Sequence, residues 1–328
     1  MENNVIGFML VDAPHSALNN AGSDAGDRTD NIVRVKSIRK DRKVYPYVSS
    51  QALRYWWRDT LEKQFNWNLS PIIRDKKIAF TQANPIEYPD DDAFGYMRAL
   101  KKKDGGTVTR VSPLKNSPLI SVVGQYPTND FGVMSRQEGD PVPFEHEFYS
   151  TVLKGIFAID LGLLGKFSEV ERTGFKNMYP GLVELAESQG LEHIDNDWIL
   201  PEHERVKRAS DIINAIPYLS GGAKNTSHLT DISPNLVILT SISTGNNIFM
   251  NIVREEDSEI YFDLDAFKEV LSDYEDKITS KIYIGMRKGF LPIIYDKLED
   301  FSKEKDNIEF GTIKEITHIF STKINELI

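Results

Sequence analysis

Apolar residues are grouped along this chain in several distinct rhythms. Val5 to Val11 (VIGFMLV) is a short unbroken run with the length and β-branched character of a buried strand. Further on, Ile32, Val33, Val35 and Ile38 are interleaved with charge, which suits a twisted strand pair with one wet face. Tyr45-Pro46-Tyr47 breaks that pattern. Leu53, Trp56, Trp57, Leu61 and Phe65 then recur at three-to-four spacing and predict an amphipathic helix, capped by Ser49 or Ser50. Phe148 to Leu161 (FYSTVLKGIFAIDL) predicts a long strand with Leu153, Phe157, Ile159 and Leu161 on one face. A second helix opens at Pro201 and carries Val206, Ala209, Ile213 and Ile216 on one stripe. A strand from Asn235 to Ile242, a helix near Asp265 to Lys277, a final strand about Lys281 to Met286 and a terminal helix within 303–328 complete the pattern.

Two stretches lack such periodicity. Residues 66–145 hold more than half of the 15 prolines, the run Asp90-Asp91-Asp92 and the run Lys101-Lys102-Lys103, and read as an insertion projecting from a core. Residues 217–234 read as a flexible loop, although Gly221 and Gly222 directly after a helix also suit an ordinary C-cap. With these set aside the order is strand, basic hairpin, helix, strand, strand, helix, strand. That is the βαββαβ plan of an α+β, ferredoxin-like (RRM) core, so residues 1–328 are expected to form one embellished domain, with an acidic part, 255–328, packed on it. Lys288-Gly289-Phe290 begins like an RRM stacking motif, but Leu291-Pro292 departs from it, since proline does not suit a central strand.

Composition narrows the class. A chain of 328 residues with 40% hydrophobic content can bury a sizeable core. It has no cysteine, which excludes disulfides and thiolate metal sites and is compatible with a reducing cytosol. The opening MENNVIGFMLVDAPH has neither the charge pattern of a signal peptide nor the length of a membrane span, so a cytoplasmic protein without a membrane partner is expected. The net charge is −10, but Glu255 to Lys277 alone carries ten acidic and two basic residues, leaving −2 for the rest. Arg28 to Lys43, by contrast, has seven basic residues against two acidic ones. A bipolar protein of this kind can present a cationic groove despite its acidic total.

The candidate chemistry gathers around that basic stretch. Lys36, Arg39 and Arg42 precede a helix whose first residues, Ser49, Ser50 and Gln51, offer hydroxyls and free amides, a ready site for phosphate. Arg54 and Arg58 lie four apart on that helix and extend the site, or else form a solvated face in which Arg58 pairs with Glu62. Arg110 and Lys115 are either solvated loop residues or RNA contacts. Asp24, Asp27 and Asp30, with His15 nearby, match no metal-ligand spacing and read as turn residues, so no metal or cofactor is expected. No P-loop, G-x-S-x-G, H-E-x-x-H or dinucleotide fingerprint occurs, and a non-enzyme is expected.

Asp12-Ala13-Pro14, Leu18-Asn19-Asn20-Ala21-Gly22-Ser23-Asp24, Tyr45-Pro46-Tyr47-Val48-Ser49-Ser50-Gln51-Ala52-Leu53-Arg54 and Trp56-Trp57-Arg58 together closely resemble the DevR branch of the CRISPR-associated backbone subunits, within the RAMP superfamily. Members of this branch form the repeated spine of type I Cascade complexes; the likeness here is to type I-B. The resemblance implies a subunit of antiviral defence that binds guide RNA (crRNA), forms a helical oligomer of its own copies, and meets target DNA and the other Cascade subunits. It also implies that 66–145 corresponds to the family's fingers and 217–234 to its thumb, with Lys224, His228 and Leu229 reaching across RNA. Asp160-Leu161-Gly162-Leu163-Leu164-Gly165-Lys166-Phe167 is similar to a family pattern whose last side chain wedges against the guide, a place held by Phe167; Leu164 departs from the aromatic of many relatives. Two alternatives stay open. One is a metal-dependent target-RNA nuclease of the type III kind, whose relatives use a loop aspartate near the position of Asp24 or Asp27. The other is a protein-interaction scaffold whose basic stretch meets an acidic partner.

Overall fold

The structure, a computed structural model, describes residues 3–22, 32–101, 105–136, 138–172 and 175–328. The first strand, Asn4–Ser16, lies at the centre of the main sheet and shows why its sequence is an unbroken apolar run. Val5, Met9 and Val11 belong to the core on one face of the sheet, while Ile6, Phe8 and Leu10 belong to the core on the other. Both faces are covered, so alternation with polar residues is absent. Gly7 faces Phe157 across the ladder, and any Cβ there would overlap that ring.

Antiparallel pairing joins Asn4–Ser16 to Leu236–Ile242 on one side and to the 19-residue strand Val142–Asp160 on the other. Leu114–Asn116 and Leu119–Ser121 pair with the far edge of Val142–Asp160. The chain order of these strands, with the helices Ser50–Phe65 and Glu202–Asn214 between them, is the expected βαββαβ core in the spatial order 4-1-3-2. The basic stretch forms a hairpin, Ser37–Lys40 with Lys43–Val48, that extends this sheet at one edge. Tyr45-Pro46-Tyr47 does not break the strand as expected. Pro46 sits inside it opposite Ser37, and the neighbouring Tyr47 amide donates to the Lys36 carbonyl.

Both helices lie on the same face. Trp57, wholly buried, stacks edge-on against Phe157 at 5.3 Å and donates its indole N–H to the Ile212 carbonyl of the second helix at 3.1 Å. Ser49 resolves the capping question: its Oγ accepts the Ala52 amide, a contribution of about 1 kcal/mol. Ile313–Ser321, with its Thr312/Glu315 capping box, joins this helix layer.

The opposite face, which in an open RRM would be free to stack bases, is closed. Phe249, Phe262, Phe267, Leu298 and Phe301 cover it, delivered largely by the acidic region through the hairpin Val253–Glu256/Glu259–Phe262 and the helices Leu264–Asp273 and Pro292–Lys303. Two expectations for the C-terminal region need correction. Ile282–Met286 is not the final strand, because Ile308–Gly311 pairs parallel to it, and the terminal helix accordingly begins only at Ile313.

The stretch 66–145 is likewise not one projecting piece. Its strands Leu114–Asn116 and Leu119–Ser121 belong to the central sheet, and its acidic run is core. Two small hairpins, Ile73–Asp75/Ile78–Phe80 and Tyr96–Ala99/Thr107–Arg110, flank the helix Pro89–Phe94. A helix, Pro180–Ser188, and a three-stranded sheet of Lys166–Ser168, Glu192–Ile194 and Asp197–Ile199 were not foreseen. No helix among the described residues is long and apolar enough to cross a membrane.

Candidate nucleic-acid interface

The expected contact residues separate into two groups, and burial decides which is which. Asp92 is fully buried in the short helix Pro89–Phe94, and its carboxylate accepts from Arg208 at 2.6 Å, from Arg110, and from the Gly165 amide at 3.0 Å. Arg110 spends all five guanidinium hydrogens inside the protein: besides the Asp92 carboxylate they reach the carbonyls of Asp92, Lys166 and Leu163, each at 2.9 Å, and the Asn177 Oδ1 at 3.2 Å. No donor is left for a phosphate, and both Arg110 readings, loop residue and RNA contact, are corrected to core.

Arg54 is half-buried and turns four of its five guanidinium hydrogens inward. It donates to the carbonyls of Leu114 at 2.7 Å and Phe94 at 2.5 Å, to Ser112 Oγ at 2.9 Å and to Asn116 Oδ1 at 3.2 Å. Burial, with the nearby Arg58 charge, pushes its pKa down to about 10. Arg58 lies over the Phe94 ring, 4.4 Å from its centroid, with its Nε 3.4 Å from the Asp90 carboxylate, so its partner is not Glu62. Burial lowers its pKa while Asp90 and Asp91 oppose the shift; in return Asp90 is raised, chiefly by burial. Phe167 is 0% exposed and packs with Met178, Leu182, Trp198 and Leu200, so it offers no ring to RNA.

The second group is contiguous and reaches solvent: Arg39, Arg42, Gln51 and Lys115 are exposed, and Lys36, Ser49, Ser50 and Lys166 half-buried. Arg39 and Arg42 stand on the hairpin, whose two-residue turn, Asp41-Arg42, is left-handed at both positions. Among the described residues, salt bridges tie Lys43 to Glu255 at 2.6 Å and Arg34 to Glu147 at 3.0 Å, but none involves Lys36, Arg39, Lys40 or Arg42. The Lys36 amide and the Ser49 amide both donate to Asn19, to its carbonyl and its Oδ1 respectively, which joins the hairpin to the start of the first helix. There Gln51 is exposed and Ser50 half-buried, and the Asn116 side chain donates to the Ser50 carbonyl at 3.3 Å. Beside Asn116, Lys115 meets Asp160 at 3.6 Å, and beyond it Lys166 meets Asp197 at 3.1 Å. Lys115, Asp160, Lys166 and Asp197 line one pocket of about 360 Å³, together with Val111 and Phe175. Pairs this exposed are weak and exchange readily for a phosphate.

Phe175, which its sequence context did not single out, is an aromatic of that pocket. It is 46% exposed, with the Arg172 guanidinium 4.5 Å from its ring centre. The expected loop 217–234 is pinned rather than free at its base: Ala223 donates to the Leu18 carbonyl, Thr230 pairs with Ser16, and a Cβ at Gly221 would overlap the Trp56 indole. Lys224 then sits 3.3 Å from the His146 ring, His228 faces Phe148, and Leu229, left-handed at φ 48°, is 83% exposed. Through Leu18 this loop borders the basic strip. Asp24 and Asp27 lie outside the described residues; among those described, no three acidic or histidine side chains gather into a metal-holding group.

This core, with its stacking face covered and a basic strip at its margin, defines an α+β protein of RRM type. More narrowly, the family described as "CRISPR-associated negative auto-regulator DevR/Csa2" matches residues 9–257, and the chain belongs to it. No curated protein matches. Among solved structures, a chain of a "CRISPR RNA-guided surveillance complex" is similar in fold at TM-score 0.51 and 10% identity, over 98% of this chain and 99% of that one. A chain of a "CRISPR RNA-guided surveillance complex, pre-nicking" is similar at TM-score 0.52 and 13% identity, over 85% and 92%.

Proposed function

We propose that this chain is a guide-RNA-binding backbone subunit of a type I CRISPR surveillance complex, several copies of which line up along one crRNA and present it to target DNA in the cytoplasm. The observation that carries the reading is the strip running from Arg39 and Arg42 through Lys36, Ser49, Ser50 and Gln51 to Lys115 and Lys166, linked by hydrogen bonds at Asn19 and Asn116. Cations and helix amides of this kind grip the sugar-phosphate chain without reading bases, so the base edges stay free to pair with a target. Phe175 offers an aromatic face on which one base can stack. Lys224, His228 and Leu229 add a second wall at the strip's border. The subunit holds RNA and performs no chemistry on it; recognition is left to base pairing.

Ultraviolet crosslinking of single-stranded RNA to the intact protein, followed by peptide mapping, tests this reading. Adducts are expected in 36–51 and in the peptides holding Lys115, Lys166 and Phe175. Adducts confined to Leu264–Lys303, or none from a folded sample, would contradict it.

A further inference from the structure

A second concave surface lies on the opposite face of the central sheet and takes no part in the basic strip. It is a groove of about 690 Å³ whose walls include Val152, Ile260, Phe262, Ile293 and Ile294, with Asp12, Glu259 and Lys297 as its charged members. Ile293 is 73% exposed. One wall is the strand Glu259–Phe262, which pairs only with Val253–Glu256 among the described residues, so its outer edge is open to a further strand. The surrounding stretch, Glu255 to Lys277, carries the net charge of −8.

The complement to this groove is found on the same chain. The hairpin Ile73–Asp75/Ile78–Phe80 pairs with no further strand among the described residues and exposes Ile72 at 63% and Ile78 at 67%, with Arg74, Lys76 and Lys77 also exposed around its turn. The helix that follows it, Pro89–Phe94, is tied to Arg58 and Arg208 of the helix layer, whereas the groove opens on the other face of the sheet. Hairpin and groove therefore cannot meet within one copy. Of the other hairpins, Thr128–Met134 with the start of Val142–Asp160 is the poorer match, because Asp130, Glu138, Asp140 and Glu145 bring acid to an acidic rim. Tyr96–Ala99/Thr107–Arg110 offers one large exposed apolar side chain, Met97, and is fastened to Asp92 through Arg110.

We infer that the groove beside Glu259–Phe262 receives the Ile73–Phe80 hairpin of a second copy, with Ile72 and Ile78 on its apolar floor and Arg74, Lys76 and Lys77 against its acidic rim. This rests on the reading of the chain as one that self-associates on RNA, and it names the surfaces used. Two different patches in contact give a heterologous, head-to-tail interface, which repeats into a ring or an open filament rather than closing into a two-fold dimer.

The chain's lack of cysteine makes the test direct. Ile78→Cys and Ile293→Cys variants, both at exposed positions, are mixed and mildly oxidised, with and without a single-stranded RNA long enough for several copies. A disulfide between the two variants is expected, enhanced by RNA, and a chain carrying both substitutions should yield a ladder of covalent oligomers. Adding Lys76→Glu and Lys77→Glu should lower the yield by about tenfold through like-charge contact with the rim. RNA-bound oligomers with no 78–293 bond overturn the interface while leaving RNA binding standing. A 78–293 bond in a sample that binds no RNA supports the interface and removes the RNA reading instead. Equal crosslinking of Phe131→Cys to Ile293→Cys, or RNA adducts on Arg74 to Lys77 without any inter-chain bond, also overturns it.

Discussion

Arg208 Nη1 lies 2.6 Å from the Asp92 carboxylate, joining the second core helix to the short helix Pro89–Phe94 across 116 residues of sequence. Arg110 meets the same carboxylate from the other side, so one buried anion holds two guanidiniums. Neighbouring Asp90 engages Arg58. The insertion is thus fastened to the core by charge as well as by apolar contact, and Arg110 and Arg208 are withdrawn from solvent.

Asp92→Ala is expected to destabilise the fold by about 3 to 5 kcal/mol, because it strands two buried cations. Urea denaturation measures it; a loss below about 1 kcal/mol, the value for an exposed pair, would mean that the network is solvated.

Phe167→Ala and Phe175→Ala should behave oppositely. Phe167 is fully enclosed, so its truncation should cost about 3 to 5 kcal/mol of stability. Phe175→Ala should leave stability within about 0.5 kcal/mol and weaken RNA binding by about 1 to 3 kcal/mol, the value of one stacked base. Denaturation and fluorescence anisotropy on both variants check the contrast; a stable Phe167→Ala with impaired RNA binding would restore the wedge to Phe167.

Much of the fold was legible because it rests on local periodicity. The helix Ser50–Phe65, the strand Val142–Asp160 and the helix Glu202–Asn214 follow stripes long enough to decide their type. Asp90-Asp91-Asp92 misled because three consecutive carboxylates suggest solvent, and the arginines that compensate them come from distant positions, 58, 110 and 208. Arg54 and Arg58 misled for the same reason: helical spacing placed them on a shared face but not what covers that face. Lys36, Arg39, Arg42, Lys115 and Lys166 were legible as basic residues. That hydrogen bonds at Asn19 and Asn116 link them into one strip was not.

The acidic region anchors the basic hairpin, since Glu255 accepts from Lys43 Nζ at 2.6 Å, the Tyr45 hydroxyl at 3.3 Å and the Gly124 amide at 3.2 Å. The hydrogen bond from Lys43 lowers the Glu255 pKa, and the bond to Glu255 raises that of Lys43. A depressed carboxylate stabilises above its unfolded value, near 4.5, and loses that effect as pH falls through the lower folded value. A raised lysine stabilises below its unfolded value, near 10.5, and loses the effect as pH rises through the folded one. Glu255→Gln should therefore speed hydrogen exchange of the Gly124 amide at neutral pH, and the difference from the native chain should vanish at acid pH. Equal exchange at neutral pH would show that the anchor is not formed.

The salt dependence of binding to single-stranded RNA tests the central claim most directly. With about four phosphate contacts from Arg39, Arg42, Lys115 and Lys166, log affinity should fall against log salt with a slope near −3 per copy, at roughly −0.7 per contact. Replacing all four by glutamine should flatten the slope towards zero in a protein that remains folded. An unchanged slope in that folded variant would place the RNA elsewhere and contradict the account.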